Sequence, residues 1–104
     1  MKKPPKELKA SGRRFWRKVN ADFDLVEFHH YELLKQCCFC LDRIEMARNE
    51  VEKDGKAFIL DRFGQLREHP ALKVEKDNRI LFVRVARELG LDLVTPENRP
   101  PGLY

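Results

Sequence analysis

Along the chain the apolar positions fall into groups whose period changes from one stretch to the next. Leu8, Phe15, Trp16 and Val19 recur at helical spacing and predict a first helix over residues 6–20. Gly12 shares their face, where a missing side chain permits close approach of another helix. Asn20-Ala21-Asp22 breaks the pattern. A much longer second helix is expected over 24–54, with Asp24 and Glu27 as its capping pair and Gly55 as its stop. About 30 residues at 1.5 Å each give a rod of roughly 45 Å. At its centre stands CCFCL, Cys37 to Leu41, an apolar run that covers every side of a helical turn. One neighbour cannot bury such a girdle, so the pattern predicts a second copy packed against it. Towards the end, Asp42, Arg43, Glu45, Arg48, Asn49, Glu50, Glu52 and Lys53 leave only Ile44, Ala47 and Val51 as an apolar seam.

The stretch DRFGQLREHPALKVEKD then turns sharply. Asp61 suits the first position of a type I turn and Gly64 its left-handed end, so a short β-hairpin is expected over 57–67. Its strands would be Ala57 to Leu60 and Gln65 to Arg67. Pro70 fits the first turn of a third helix, where its missing N–H costs nothing, and His69 is its lead-in residue. That helix is expected over 70–89 and ends at Gly90. Val74, Leu81, Phe82, Val85 and Leu89 form its apolar face; Lys73, Lys76, Arg84 and Arg87 form a basic one. Residues 1–5 are a charged lead-in, 6–90 a single helical domain, and 91–104 a proline-rich tail without periodicity.

Composition adds a charge asymmetry. The chain carries 37% charged residues and a net charge of +4, with acids and bases interleaved over most of its length. Its first 18 residues are different: Lys2, Lys3, Lys6, Lys9, Arg13, Arg14, Arg17 and Lys18 face only Glu7. A block of one sign is an electrostatic footprint for phosphate, although a solvated basic surface has the same composition. No apolar run reaches the roughly 18 residues of a membrane span, and MKKPPKELK lacks the apolar core of a signal peptide. Three crowded cysteines form no disulfide framework, so a reducing cytoplasm is the expected setting.

Candidate chemistry is sparse. Cys37, Cys38, Cys40, His29, His30 and His69 are potential zinc ligands, but CCxC is not the paired knuckle spacing of structural zinc. Burial of the cysteines as small apolar groups is the simpler reading. His30 and Cys37 stand two helical turns apart, too far for a nucleophile and its base. No glycine-rich phosphate cradle occurs. Asp61 and His69 bracket the hairpin as turn former and helix lead-in. No catalytic residue, metal or cofactor is expected.

The order of PPKELKASGRRFWRKV, LLKQCCFCLDRIEMARNEVEKDG and DRFGQLREHPALKVEKDNRILFVRVARELGL resembles the small terminase subunit of tailed bacteriophages and prophages. More narrowly, it resembles the subgroup with a tryptophan helix, a long Leu/Asp-Arg helix, a G-x-x-x-x-HP-A hairpin and a closing Leu-Gly-Leu. The likeness spans Pro4 to Leu93. It implies a mainly α chain of three helices, the second long, with a short hairpin between the second and third, assembling as a homo-oligomeric ring. It also implies a non-catalytic role in packaging: binding double-stranded phage DNA at the initiation region and presenting it to the large subunit, which holds the ATPase and nuclease, in the cytoplasm of the bacterial host. Carried onto this chain, Lys6, Lys9, Arg13, Arg14, Arg17 and Lys18 take the DNA role, with Lys73, Lys76, Arg84 and Arg87 as a second basic surface. Leu34, Cys37, Cys40, Leu41, Ile44 and Ala47 take the subunit interface, and NRPPGLY the contact with the large subunit. The chain has no room for a helix-turn-helix domain beyond its first two helices, which leaves base reading and phosphate contact both open. A structural helical adaptor, or a small DNA-binding regulator without a packaging role, is the competing reading.

Overall fold

Three helices and one hairpin follow one another: α1 (Ala10–Asp22), α2 (Phe28–Asp54), β1 (Phe58–Leu60), β2 (Leu66–Glu68) and α3 (Pro70–Leu89). The structure is a computed structural model and describes residues 3–91. NRPPGLY and the rest of the tail from residue 92 onward lie outside the described residues.

α2 is the central rod, 27 residues and roughly 40 Å long. Gly12 of α1 lies over Cys38 and Asp42, whereas Trp16, one turn on, lies 5.9 Å from Tyr31. α1 therefore runs antiparallel to α2. α3 returns along another flank, with Phe82 edge-on to Phe15 of α1 at 5.3 Å. The shared core gathers Leu8, Trp16, Val19, Leu34, Cys37, Cys38, Val85, Ala86, Leu89 and Leu91.

This arrangement corrects the reading of the CCFCL girdle. Leu34, Cys37 and Cys40 have no exposed surface, and Ile44 and Ala47 are buried, all within a single copy of the chain. Only Leu41 of the expected interface set is half-buried. At 100° per residue the buried positions of α2 span roughly 220° of its circumference, which two flanking helices can cover together. The run that looks apolar all round is thus two adjoining stripes, one for α1 and one for α3. It requires no second copy.

Both early helix starts also move. α1 begins at Ala10, not Lys6. Residues 6–9 form a turn and an extended segment that drops Leu8 into the core, 1% exposed. α2 begins at Phe28, and Asp24 and Glu27 form no capping pair: Glu27 holds extended backbone and makes no side-chain cap. The cause is Leu25, which packs against the core while its carbonyl accepts a hydrogen bond from the Tyr31 hydroxyl at 2.9 Å. In a helix starting at Asp24 that carbonyl would face the N–H of His29 instead.

The hairpin pairs Phe58 with Glu68, Ile59 with Arg67 and Leu60 with Leu66, one residue later in the second strand than the pattern indicates. Its turn is as expected, with Gly64 in the left-handed region at φ 76° and its N–H donating to the Asp61 carbonyl. α3 occupies the expected span. Its apolar face is narrower than expected, however: Val85, Ala86 and Leu89 are buried and Phe82 is half-buried, but Val74 and Leu81 are exposed. Gly90 closes the helix at φ 87°, and Leu91 donates its N–H to the Ala86 carbonyl before entering the core.

Candidate nucleic-acid interface

The buried residues of α1 are Gly12, Trp16 and Val19. Arg13, Arg14, Arg17 and Lys18 project from the opposite arc, and all are exposed, as are Lys6 and Lys9 just before the helix. Arg13 donates through Nη2 to the Lys6 carbonyl at 3.3 Å, which draws the approach segment against the helix. Lys18 pairs with Asp22 at 3.2 Å. Arg14 and Arg17 form no ion pair among the described residues, so their charge is open to a ligand.

On α3, Lys73, Lys76, Arg84 and Arg87 fall within an arc of roughly 80°, opposite the buried Val85, Ala86 and Leu89. The four form a stripe roughly 21 Å long, on the scale of six base pairs of duplex. They are exposed and make no ion pair among the described residues. Shallow depressions of about 630 Å³, at Arg67, His69, Lys73 and Lys76, and about 460 Å³, at Ile80, Val83, Arg84 and Arg87, border the stripe. Other arginines are engaged within the fold. Arg48 and Arg79 both reach Glu75, at 2.7 and 2.8 Å, and Arg67 reaches Asp61 at 2.6 Å. The Arg48 hydrogen bond, helped by Arg79, holds the Glu75 carboxyl below its usual range, and Arg67 with the Gln65 and Phe63 amides does the same for Asp61.

These surfaces offer charge more than base-reading amides. Asn20 donates to the Trp16 carbonyl at 2.9 Å and Asn78 to the Val74 carbonyl at 2.8 Å, each bonding its own helix. Contacts to phosphate need only the exposed cations; discrimination between bases would fall to the arginines.

Two structural residues escape the sequence pattern. The sequence pattern assigns Asp42 to the polar end of α2, yet it is 5% exposed. Its carboxylate accepts the backbone N–H groups of Lys9 and Gly12, both at 2.7 Å, and so caps α1 from another helix. Ser11 donates to Glu45 beside it. A detectable signal was the row Leu34, Cys38, Asp42, a lone carboxylate in line with apolar residues four apart. The second is Asp54, which accepts from His69 Nε2 at 2.6 Å while His69 Nδ1 accepts the Ala71 N–H at 3.1 Å. Both ring nitrogens of His69 are therefore committed to the joint between α2 and α3.

The cysteine thiols sit in the core, not at a surface. Burial, reinforced by neighbouring Cys40, pushes Cys37 up to about 12. Burial, with Cys37, Asp42 and Cys40 nearby, pushes Cys38 to about 12 as well, and burial raises Cys40. No group of three or more His, Cys, Asp or Glu side chains is placed to hold a metal ion among the described residues. Nor, among them, is any helix long and apolar enough to cross a membrane.

Comparison with family models, characterised proteins and solved structures finds no match to this chain.

Proposed function

We propose that this chain is a non-catalytic DNA-packaging subunit of the small terminase kind. It binds double-stranded viral DNA at the packaging initiation region and presents it to a large ATPase/nuclease subunit in the bacterial cytoplasm. The observation that carries the DNA part is the pair of cationic surfaces, on α1 and α3, each exposed opposite a buried face. The order of motifs along the chain supports the packaging part. A helical adaptor is the second reading, and it draws on Ile80 and Val83, exposed within and beside the α3 stripe at 52% and 48%.

Salt dependence of duplex binding separates the two. Each neutralised phosphate contributes about 0.9 to the slope of log K against log salt. Arg13→Ala/Arg14→Ala/Arg17→Ala should flatten the slope by up to about 2.7 per engaged subunit and weaken binding to all sequences alike. Lys73→Ala/Lys76→Ala/Arg84→Ala/Arg87→Ala tests the other surface. Wild-type protein that fails to bind duplex DNA at low salt refutes the reading, as does a slope that neither variant changes.

A further inference from the structure

Phe58, Leu60 and Leu66 share one face of the hairpin, by the register and the two-residue period of the strands. They are 54%, 69% and 68% exposed, and Phe63 at the tip is 73% exposed. At roughly 200 Å² for a large apolar side chain, these fractions leave on the order of 500 Å² of apolar surface in water. A patch that size is near the upper end for a monomer, and a standard interface takes about 800 Å² from each partner. The strands pack chiefly on each other, while the helices pack among themselves. A hairpin of two three-residue strands is marginal in isolation.

A second uncovered apolar feature lies on the same chain. Between α2 and α3 runs a groove of about 400 Å³, lined by Met46, Ala47, Ala71 and Val74 with Arg43 and Glu50 at its rim. Met46 and Val74 are 56% and 46% exposed. The charges match in kind: Glu68 lies across from Phe58 on the hairpin face, and Arg62 adjoins Phe63. Each therefore has an opposite charge available in Arg43 and Glu50.

We propose that the apolar face of the hairpin seats in the α2–α3 groove of a second copy of this chain. The two patches differ, so the contact is head-to-tail: every copy offers one hairpin and one groove, and repetition through a closing rotation yields a ring. The inference goes beyond the proposed function, which concerns DNA, and adds the contact through which copies would assemble. Its test reads association without DNA, so the DNA reading stands or falls separately.

Sedimentation velocity at tens of micromolar reads the outcome. Wild type should assemble. Leu60→Lys/Leu66→Lys on the hairpin and Met46→Glu/Val74→Glu in the groove should each weaken association at least about thirtyfold, the loss expected of an interface hot spot. Helical circular dichroism should be retained in the hairpin variant, and Phe63→Lys at the tip repeats the test outside the strand ladder. Mixing the hairpin and groove variants leaves one intact hairpin and one intact groove, so one-to-one dimers should appear. A monomeric wild type overturns the proposal. So does a hairpin variant that assembles normally, or a groove variant that assembles normally while the hairpin variant does not, because the contact is then hairpin against hairpin.

Discussion

Replacing Asp42 by Ala should undock α1. The carboxylate is buried and accepts two backbone N–H groups at 2.7 Å, one from Lys9 at the helix cap and one from Gly12 a turn in. Neither donor has an acceptor within its own helix, and Lys9 supplies no side-chain cap. Hydrogen bonds to a charged group contribute about 1.5–3 kcal/mol each, with the lower figure suiting the part-buried Lys9 amide that water can reach. The expected loss is about 3–4.5 kcal/mol, a large share of the roughly 5–15 kcal/mol that holds a domain of this size. Asp42→Asn keeps one oxygen acceptor and should lose about half as much. Gly12→Ala probes the same contact from the other side. A Cβ there would stand 2.6 Å from Asp42 Oδ2 and 2.9 Å from the Cys38 carbonyl oxygen, so the usual gain of about 1 kcal/mol from Gly to Ala in a helix should be reversed. Urea titration at fixed protein concentration, followed by far-ultraviolet circular dichroism and by fluorescence of the single tryptophan on α1, measures all three variants. A loss below about 0.5 kcal/mol for Asp42→Ala, or a stabilised Gly12→Ala, refutes the close capped contact.

Thiol reagents at pH 8 should label none of the three cysteines in the native protein and all of them after denaturation, because burial holds them protonated. Since the folded thiols titrate above their unfolded value, their contribution is complete below about pH 9 and declines as pH rises towards 12. Asp61 and Glu75 act in the opposite sense: their lowered carboxyls stabilise the fold above the ordinary carboxylate range and lose that effect as pH falls through their folded values. Thermal melts between pH 6 and 2.5 should show an acid limb that Asp61→Asn and Glu75→Gln flatten; an unchanged limb removes both ion pairs from the account. His69→Asn, which keeps an acceptor for the Ala71 N–H, should lose about 1 kcal/mol less stability than His69→Ala. Equal losses would mean that the cap is not what His69 contributes.

What the sequence displays depends on whether a signal is local. α3 is readable at both ends because His69, Pro70 and Gly90 act on their immediate neighbours. The turn at Asp61 and Gly64 is readable for the same reason, while the one-residue shift of β2 depends on loop geometry that the pattern leaves loose. The start of α1 is hidden because its cap is Asp42, more than 30 positions away. The start of α2 is hidden because Leu25 is held by the core and by Tyr31. Periodicity showed that Cys37 to Leu41 is apolar on every side, but it cannot say whether the cover comes from this copy or another. Val74 and Leu81 have the spacing of a buried face and are still exposed, Val74 because the groove between α2 and α3 stays open beside it. The cationic positions on α1 and α3 were legible as surface because they stand opposite those helices' buried residues, and charged side chains seldom accept full burial.

The capping of α1 by a carboxylate on α2 also shapes how the molecule opens. α2 and α3 share the larger interface and are stitched end to end by His69, whereas α1 joins them through the extended stretch before Phe28 and a smaller contact. Amide hydrogen exchange should therefore be heterogeneous, with α1 opening as a unit at lower free energy than the α2–α3 pair. A cationic helix with its own opening equilibrium would leave and rejoin the α2–α3 pair without unfolding it. Any anion that binds the docked helix alone would then slow exchange across all of α1, including amides it never touches.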